Sequence, residues 1–267
     1  MRKVLFVFFF FLIFKLYCLD FVVLGDSRGK KEPISPYFSQ IIKEVKLLSP
    51  DFIIHTGDWT KSCKKENWEK FLKIIGKVEI PYFLTVGNHD VKKNWDDWTS
   101  LYKELIKKPI YYSFKYENCT FIVLCCYINE NGMTVSHKLG KEQFLWFENQ
   151  LKEAKDSDYI FIFVHEPLFP VDGHIGGSLD FYPEEREKLI STLKPYKDKI
   201  ILFCGHEHLY SAIEKEGIRQ IITGGAGAPV YTPPHKGGFY HFIFVNVKGK
   251  KLKMAVIKAG TISEVKF

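Results

Sequence analysis

Apolar positions along the chain gather into short runs, and the runs end alike. Residues 21–26 (FVVLGD), 52–58 (FIIHTGD) and 82–90 (YFLTVGNHD) each close on glycine followed by polar side chains. Residues 159–166 (YIFIFVHE) close on His165, and residues 200–208 (IILFCGHEH) on His206, Glu207 and His208. Each run is rich in β-branched and aromatic residues, so each reads as a buried strand. Between them, residues 36–48, 68–75, 141–154 and 184–193 carry apolar residues at helical spacing. Pro183 with Glu184 and Glu185 marks a helix start. Strands alternating with helices predict an α/β protein with parallel pairing. In such sheets ligands collect outside the carboxyl ends of the strands, where all five polar clusters fall. Asn and Asp are ordinary turn residues, but independent turns would not make that choice five times.

The later chain reads differently. Residues 111–127, 218–227 and 239–260 look like strand–turn–strand units without helices, with Gly249 and Lys250 at a hairpin tip. They predict an antiparallel portion, hence a mixed sheet or two packed sheets. The 267 residues show no repeat and no low-complexity linker, and they suffice for one large domain or two small ones.

Residues 1–18 stand apart. Arg2 and Lys3 precede an apolar run from Val4 to Phe14, interrupted by Lys15. This reads as a secretory signal peptide, too short for a comfortable membrane span. Leu16, Tyr17 and Cys18 lack the small residues of a cleavage site, so cleavage and retention as a membrane anchor both stay open. A buried N-terminal strand is the structural alternative. The expectation is export: periplasmic, extracellular, or attached to a membrane outside the cytoplasm through this segment. Removing residues 1–18 takes away three positive charges and lowers the net charge from +7 to +4. That excess favours anionic substrates slightly. No basic stripe alternates with aromatics, so there is no nucleic-acid footprint. The six cysteines match no zinc motif and no dense disulfide framework. Cys119, Cys125, Cys126 and Cys204 lie in apolar runs and read as core residues, with room for one disulfide.

The strand ends together supply Asp26, Asp58, Asn88, His165, His206 and His208. Two carboxylates, an amide and three imidazoles suit divalent ions of borderline hardness such as manganese, zinc, iron or cobalt. The set is too rich in histidine for calcium. Six ligands exceed what one tetrahedral zinc needs, so two divalent transition metal ions are the natural count, with one carboxylate bridging them.

The blocks GD at 25–26, GD at 57–58, GNHD at 87–90, His165 after a strand and GHEH at 205–208 together resemble the calcineurin-like metallophosphoesterase superfamily. GGAGAP at 224–229 and LGKEQFLWFENQL at 139–151 are also similar to it. The resemblance implies a four-layer α/β/β/α sandwich of two mixed sheets flanked by helices, over a metallophosphoesterase domain at 19–267. It implies hydrolysis of a phosphate mono- or diester by attack of metal-bound hydroxide. Asp58 would bridge the two metals, with Asn88, His165 and His206 completing one site and Asp26 and His208 serving the other. His89 would face the phosphate and serve the leaving oxygen, and Asp90 would orient His89.

One block departs from the pattern. The family's first motif reads D-x-H, with the histidine a ligand; here it is Asp26-Ser27-Arg28. A guanidinium has no lone pair for a metal. Either another group completes that site, or it binds weakly. Arg28 would then clamp the substrate phosphate, or serve as an ordinary surface pairing residue. The purple acid phosphatase branch wants tyrosine three positions after the bridging aspartate, where this chain has Lys61. Of the remaining residues, His55 reads as an interior histidine and Glu207 as pointing away from the ligands. His174 and Asp172 lie on a glycine-rich loop near the leaving group, and residues 231–234 fall at the pocket rim. His137, His235 and His241 read as surface or packing residues. The rival functions are a catalytically degenerate metal-binding or protein-interaction module on the same fold, and a structural zinc protein using His165, His206 and His208 alone.

Overall fold

The computed structural model, which describes residues 18–262, has thirteen strands and five α-helices, with strands and helices alternating in the first part and helix-free strands closing the chain. The first half runs β1 (Cys18–Leu24), α1 (Pro36–Leu48), β2 (Phe52–His55), α2 (Lys65–Ile75), β3 (Tyr82–Leu84), α3 (Trp95–Leu105), β4 (Tyr112–Tyr116) and β5 (Cys119–Val123). A hairpin of β6 (Tyr127–Glu130) and β7 (Met133–Ser136) follows, then α4 (Gly140–Glu153), β8 (Tyr159–Phe163), α5 (Pro183–Leu193) and β9 (Ile200–Cys204). The chain ends with β10 (Tyr210–Lys215), β11 (Ile218–Thr223), β12 (His241–Lys248) and β13 (Lys251–Lys258). The readings for residues 1–17 lie outside the described residues. Among the described residues no helix is long and apolar enough to cross a membrane.

The strands form two large mixed sheets, ordered β13-β12-β1-β2-β3 and β10-β11-β9-β8-β5-β4. In the first, β1, β2 and β3 are parallel, and β12 and β13 add antiparallel. In the second, β5, β8, β9 and β11 are parallel, with β4 and β10 antiparallel at the edges. This is the four-layer arrangement, and alternation along the strands explains it. Odd-numbered positions such as Phe21, Val23, Phe121, Phe161 and Phe203 form the apolar layer between the sheets. Even-numbered positions such as Val22, Leu24, Ile122, Ile162 and Leu202 belong to the core shared with the helices. Phe21 meets Phe161 edge-on at 5.0 Å, and Phe163 stacks on Phe203 at 5.4 Å. Much of the high phenylalanine content therefore sits in this layer, where each buried ring contributes about 1.5–3 kcal/mol.

Helix α1 starts where the sequence says it should, with Ser35 capping the Tyr37 N–H and Pro36 in the first turn. Helix α3 and the β6–β7 hairpin are additions to the sequence reading. Helix α3 opens with an Asn94 cap to the Asp97 N–H and buries Trp98 and Tyr102. All six cysteines are free, five of them buried, so none of the room for a disulfide is used.

Candidate metal centre

Five strand ends deliver the polar residues to one place. The loops after β1 and β2 are tied together, the Asp26 N–H donating to the Gly57 carbonyl at 3.0 Å. His55, between them, is the interior histidine its pattern predicts. Its Nδ1 accepts from the Gly57 N–H, its Nε2 donates to Ser27 Oγ, and Ser27 Oγ donates to the Trp59 carbonyl. Burial pushes its pKa down to about 3, so it stays neutral. Asp26, Asp58 and His206 all sit in left-handed backbone, at φ of 61°, 58° and 70°, which non-glycine residues adopt at a cost. Close approach explains two glycines. A Cβ on Gly87 would lie 2.3 Å from both the Asp58 nitrogen and Oδ1, and one on Gly205 would lie 2.4 Å from Asp26 Oδ2.

Backbone carbonyls fix each imidazole. A carbonyl can only accept, so the ring nitrogen facing it carries the proton and the other keeps its lone pair. His165 Nδ1 donates to the Thr56 carbonyl at 2.8 Å, which leaves Nε2 3.0 Å from Asn88 Oδ1 and 3.4 Å from Asp58 Oδ1. His206 Nε2 donates to the Gly177 carbonyl at 3.3 Å, which leaves Nδ1 3.1 Å from the same Asn88 oxygen. His208 Nδ1 donates to the Pro229 carbonyl at 2.9 Å, which leaves Nε2 3.6 Å from Asp26 Oδ1. Ligand atoms of Asp26, Asp58 and His208 lie within 4.8 Å of one another.

These groups do not satisfy one another. Ring-nitrogen lone pairs face carboxylate and amide oxygens, while the backbone N–H groups of His206 and His89 donate to Asp26 and Asp58 from the side. Burial, more than any neighbour, holds all three histidines neutral: His165 falls to about 3, His208 to about 4, and His206 well below the usual range. Burial, then the charge of Asp58, pushes the Asp26 carboxyl well above the usual range. A cation at each convergence would satisfy every acceptor, so the donor set fits divalent metal ions. Asp58 stands between the two groups of ligands. All six predicted ligands are brought together here.

Two other predicted residues are placed less simply. Arg28 is not a surface residue: its side chain is 15% exposed, and its Nε lies 3.5 Å from Asp58 Oδ2. That Nε is buried without a hydrogen-bond partner. Asp90 does not orient His89, which corrects the reading from sequence. The Asp90 carboxylate accepts from the backbone N–H groups of Asp58 (2.8 Å), Gly87 (2.9 Å) and Trp59 (3.1 Å). It is fully buried beneath the loops, out of use as a partner for the ring. His89 Nδ1 donates instead to the Lys61 carbonyl at 2.8 Å, and Nε2 stands 3.8 Å from Asp58 Oδ2.

Several participants carried no clear sequence signal. Glu207 does face away from the metal ligands, and it has a task there: its carboxylate accepts from the Val171 and Asp172 N–H groups at 2.9 and 2.7 Å. This anchors the loop that bears His174, whose exposed ring packs on His206 with centroids 3.9 Å apart. Asp172 is bonded to Thr232, and Tyr231 packs near His208, so this loop joins residues 231–234 at the rim. His137 is more than a packing residue, pairing with buried Glu166 at 2.7 Å. His241 is buried, and His235 lies in a short 3₁₀ turn. Beside Asn88 and His89 an open cavity of about 530 Å³ is walled by Lys61, Lys64, Lys65 and Lys92.

Comparisons with known proteins agree with this geometry. The sequence model of the calcineurin-like phosphoesterase family matches residues 19–210. The chain is 26% identical over 162 residues to a probable glycerophosphodiester phosphodiesterase of Arcobacter nitrofigilis, a match covering 61% of this chain and 58% of that protein. It therefore spans little more than half the length of that relative. A purple acid phosphatase from seeds of yellow lupin, Lupinus luteus, superposes with a TM-score of 0.71 at 17% identity, over 92% of this chain and 52% of that one. A protein titled the anchor in the inner membrane complex of Plasmodium superposes with a TM-score of 0.65 at 18% identity, over 91% and 85%. With the family's sequence pattern covering most of its length and its fold carrying the same strand-end residues to one centre, the chain belongs to the calcineurin-like phosphoesterase family.

Proposed function

We propose that this chain is an exported phosphoesterase that hydrolyses a phosphate mono- or diester at a centre of two divalent metal ions. One observation carries the reading: the side chains of Asp26, Asn88, His165, His206 and His208 gather around buried Asp58, with ring-nitrogen lone pairs facing carboxylate and amide oxygens. The names of the relatives, a phosphodiesterase and an acid phosphatase, support ester hydrolysis. The basic start and apolar run of residues 1–18 support export.

Asn88, His165 and His206 with Asp58 would hold one ion, and Asp26 and His208 with Asp58 the other. When bound, the ions supply a nucleophile from water and polarise the phosphoryl oxygens. The chain's own residues do the rest. Arg28, permanently protonated and with its Nε near Asp58 but without a hydrogen-bond partner, orients a phosphoryl oxygen and offsets negative charge as it builds. His89, its Nδ1–H held by the Lys61 carbonyl, presents Nε2 to the departing oxygen, and as the imidazolium, with a proton on each nitrogen, passes the Nε2 proton to it and is left neutral. The loop held by Glu207 keeps the Gly177 carbonyl on His206 and so fixes the tautomer that coordinates.

The test is metal content by mass spectrometry together with hydrolysis of p-nitrophenyl phosphate and bis-p-nitrophenyl phosphate under added manganese, zinc, iron or cobalt. Two ions per chain with turnover is the expected result, and Asp58→Asn should lose both. One tightly held zinc that Asp58→Asn leaves in place would overturn this in favour of a structural zinc site. Arg28 favours a second reading, because it stands where the family has a ligand: a binding module without chemistry. Metal uptake with no hydrolysis of either ester would select it.

A further inference from the structure

The cavity beside His89 has a wall chemistry that the hydrolytic centre alone does not need. Lys61, Lys64, Lys65 and Lys92 line it, against one acidic residue, Glu66. Lys65 is paired with Glu104, and among the described residues Lys61, Lys64 and Lys92 form no salt bridge. Scattered lysines are ordinary solvated surface. Four around one concavity, sharing a wall with Asn88 and His89, make a positive basin that opens directly on the centre. The first turn of α2 enters the same basin. Its cap residue is Lys64, which makes no side-chain cap bond, and Lys65 opens the helix beside Glu66, so two of the lysines sit at a helix end that itself favours anions. Like charges gathered this way repel, and an anion resting among them relieves the repulsion.

Position says which part of a substrate the basin meets. His89 lies on the boundary and is the residue assigned to the leaving oxygen, so the group that departs extends past it into the basin. On the basis of the hydrolase reading above, we infer that the preferred substrate carries a second phosphate on its leaving group, and that these lysines bind it. Lysine suits this role as a mobile point charge on a flexible stem, able to follow a phosphate of variable position.

Fructose 1,6-bisphosphate, against fructose 1-phosphate and fructose 6-phosphate, tests the soluble form of this chemistry, read as phosphate release by the metal-loaded protein. A phosphoinositide bisphosphate in mixed micelles, against the monophosphate, tests the lipid form. In at least one arm kcat/KM for the bisphosphate should exceed that for the monophosphate by roughly tenfold at low ionic strength, mainly through KM, and the preference should shrink with added salt. In the Lys64→Gln/Lys92→Gln variant the ratio should fall toward one. Circular dichroism and metal content of that variant separate a loss of folding from a loss of preference. A ratio near one in both arms for the unaltered protein, or a high ratio that the variant retains, would overturn the inference. Turnover of p-nitrophenyl phosphate with no such preference sinks this inference alone. No turnover of any ester with any metal sinks the hydrolase reading, and this one with it.

Discussion

Replacing Asp90 separates two roles that the sequence alone does not distinguish. If Asp90 oriented His89, Asp90→Ala would slow turnover and leave the fold intact. The structure gives it a different task, because its carboxylate accepts backbone N–H groups from Asp58, Trp59 and Gly87 and is completely buried. Hydrogen bonds to a charged acceptor are worth about 1.5–3 kcal/mol each, and donors left unpaired in the interior cost a further amount. Three such bonds total roughly 7 kcal/mol at mid-range. Opposing that sum are burial and the nearby charge of Asp58, which push the Asp90 carboxyl well above the usual range. A net loss of about 4 kcal/mol is expected for Asp90→Ala, at the upper end for single substitutions. Asp90→Asn keeps one acceptor oxygen and should lose about half as much. Urea unfolding followed by tryptophan fluorescence reads this directly, since Trp59 lies in the loop that Asp90 holds. Metal content should fall along with stability, because that loop also carries Asp58. A variant within 1 kcal/mol of the parent, slow only in kcat, would refute the reasoning and restore Asp90 as the partner of His89.

Three further outcomes are expected. Gly87→Ala puts a methyl 2.3 Å from the Asp58 nitrogen and Oδ1, so it should abolish metal uptake and cost about 1–3 kcal/mol, as measured by metal analysis and thermal melting. His241 is fully buried, and its pKa is lowered from 6.5 to about 4. The unfolded chain therefore binds this proton first as pH falls, and stability drops from pH 6.5 to about 4, by up to roughly 3 kcal/mol at this site; His241→Gln should flatten that part of the urea-midpoint curve. Glu207→Gln weakens two charge-assisted bonds to the loop at Val171 and Asp172, so limited proteolysis should cut that loop sooner, and retained protection would contradict the anchoring role.

Much of the site was legible because its chemistry sits where the hydrophobic pattern stops. Asp26, Asp58 and Asn88 follow parallel strands of one sheet, His165, His206 and His208 follow parallel strands of the other, and the two sets of carboxyl ends meet at one edge. What stayed hidden belongs to the backbone or to register. The carbonyls of Thr56, Lys61, Gly177 and Pro229 choose the histidine tautomers, and no side-chain letter records a carbonyl. Asp90 was misread because its place beside His89 in sequence suggested a contact, whereas the turn at Gly87 points its carboxylate under the neighbouring loop. Helix α3 was missed although Asn94, Asp96 and Asp97 supply its start signals, since Trp98 and Tyr102 bury a narrow stripe on an otherwise polar helix. The pairing of His137 with Glu166 spans 29 residues and depends on how the β6–β7 hairpin folds back.

The left-handed backbone at Asp26, Asp58 and His206 has an evolutionary consequence. Glycine would sit at each of these positions without steric cost, and it would also remove a buried charge or imidazole. Random drift relaxed of functional demand would therefore find substitutions at the centre that make the protein sturdier, not weaker. The aspartates and the histidine persist against that slope only while something selects for what they hold. In this fold, durability and chemistry pull on the same three residues in opposite directions.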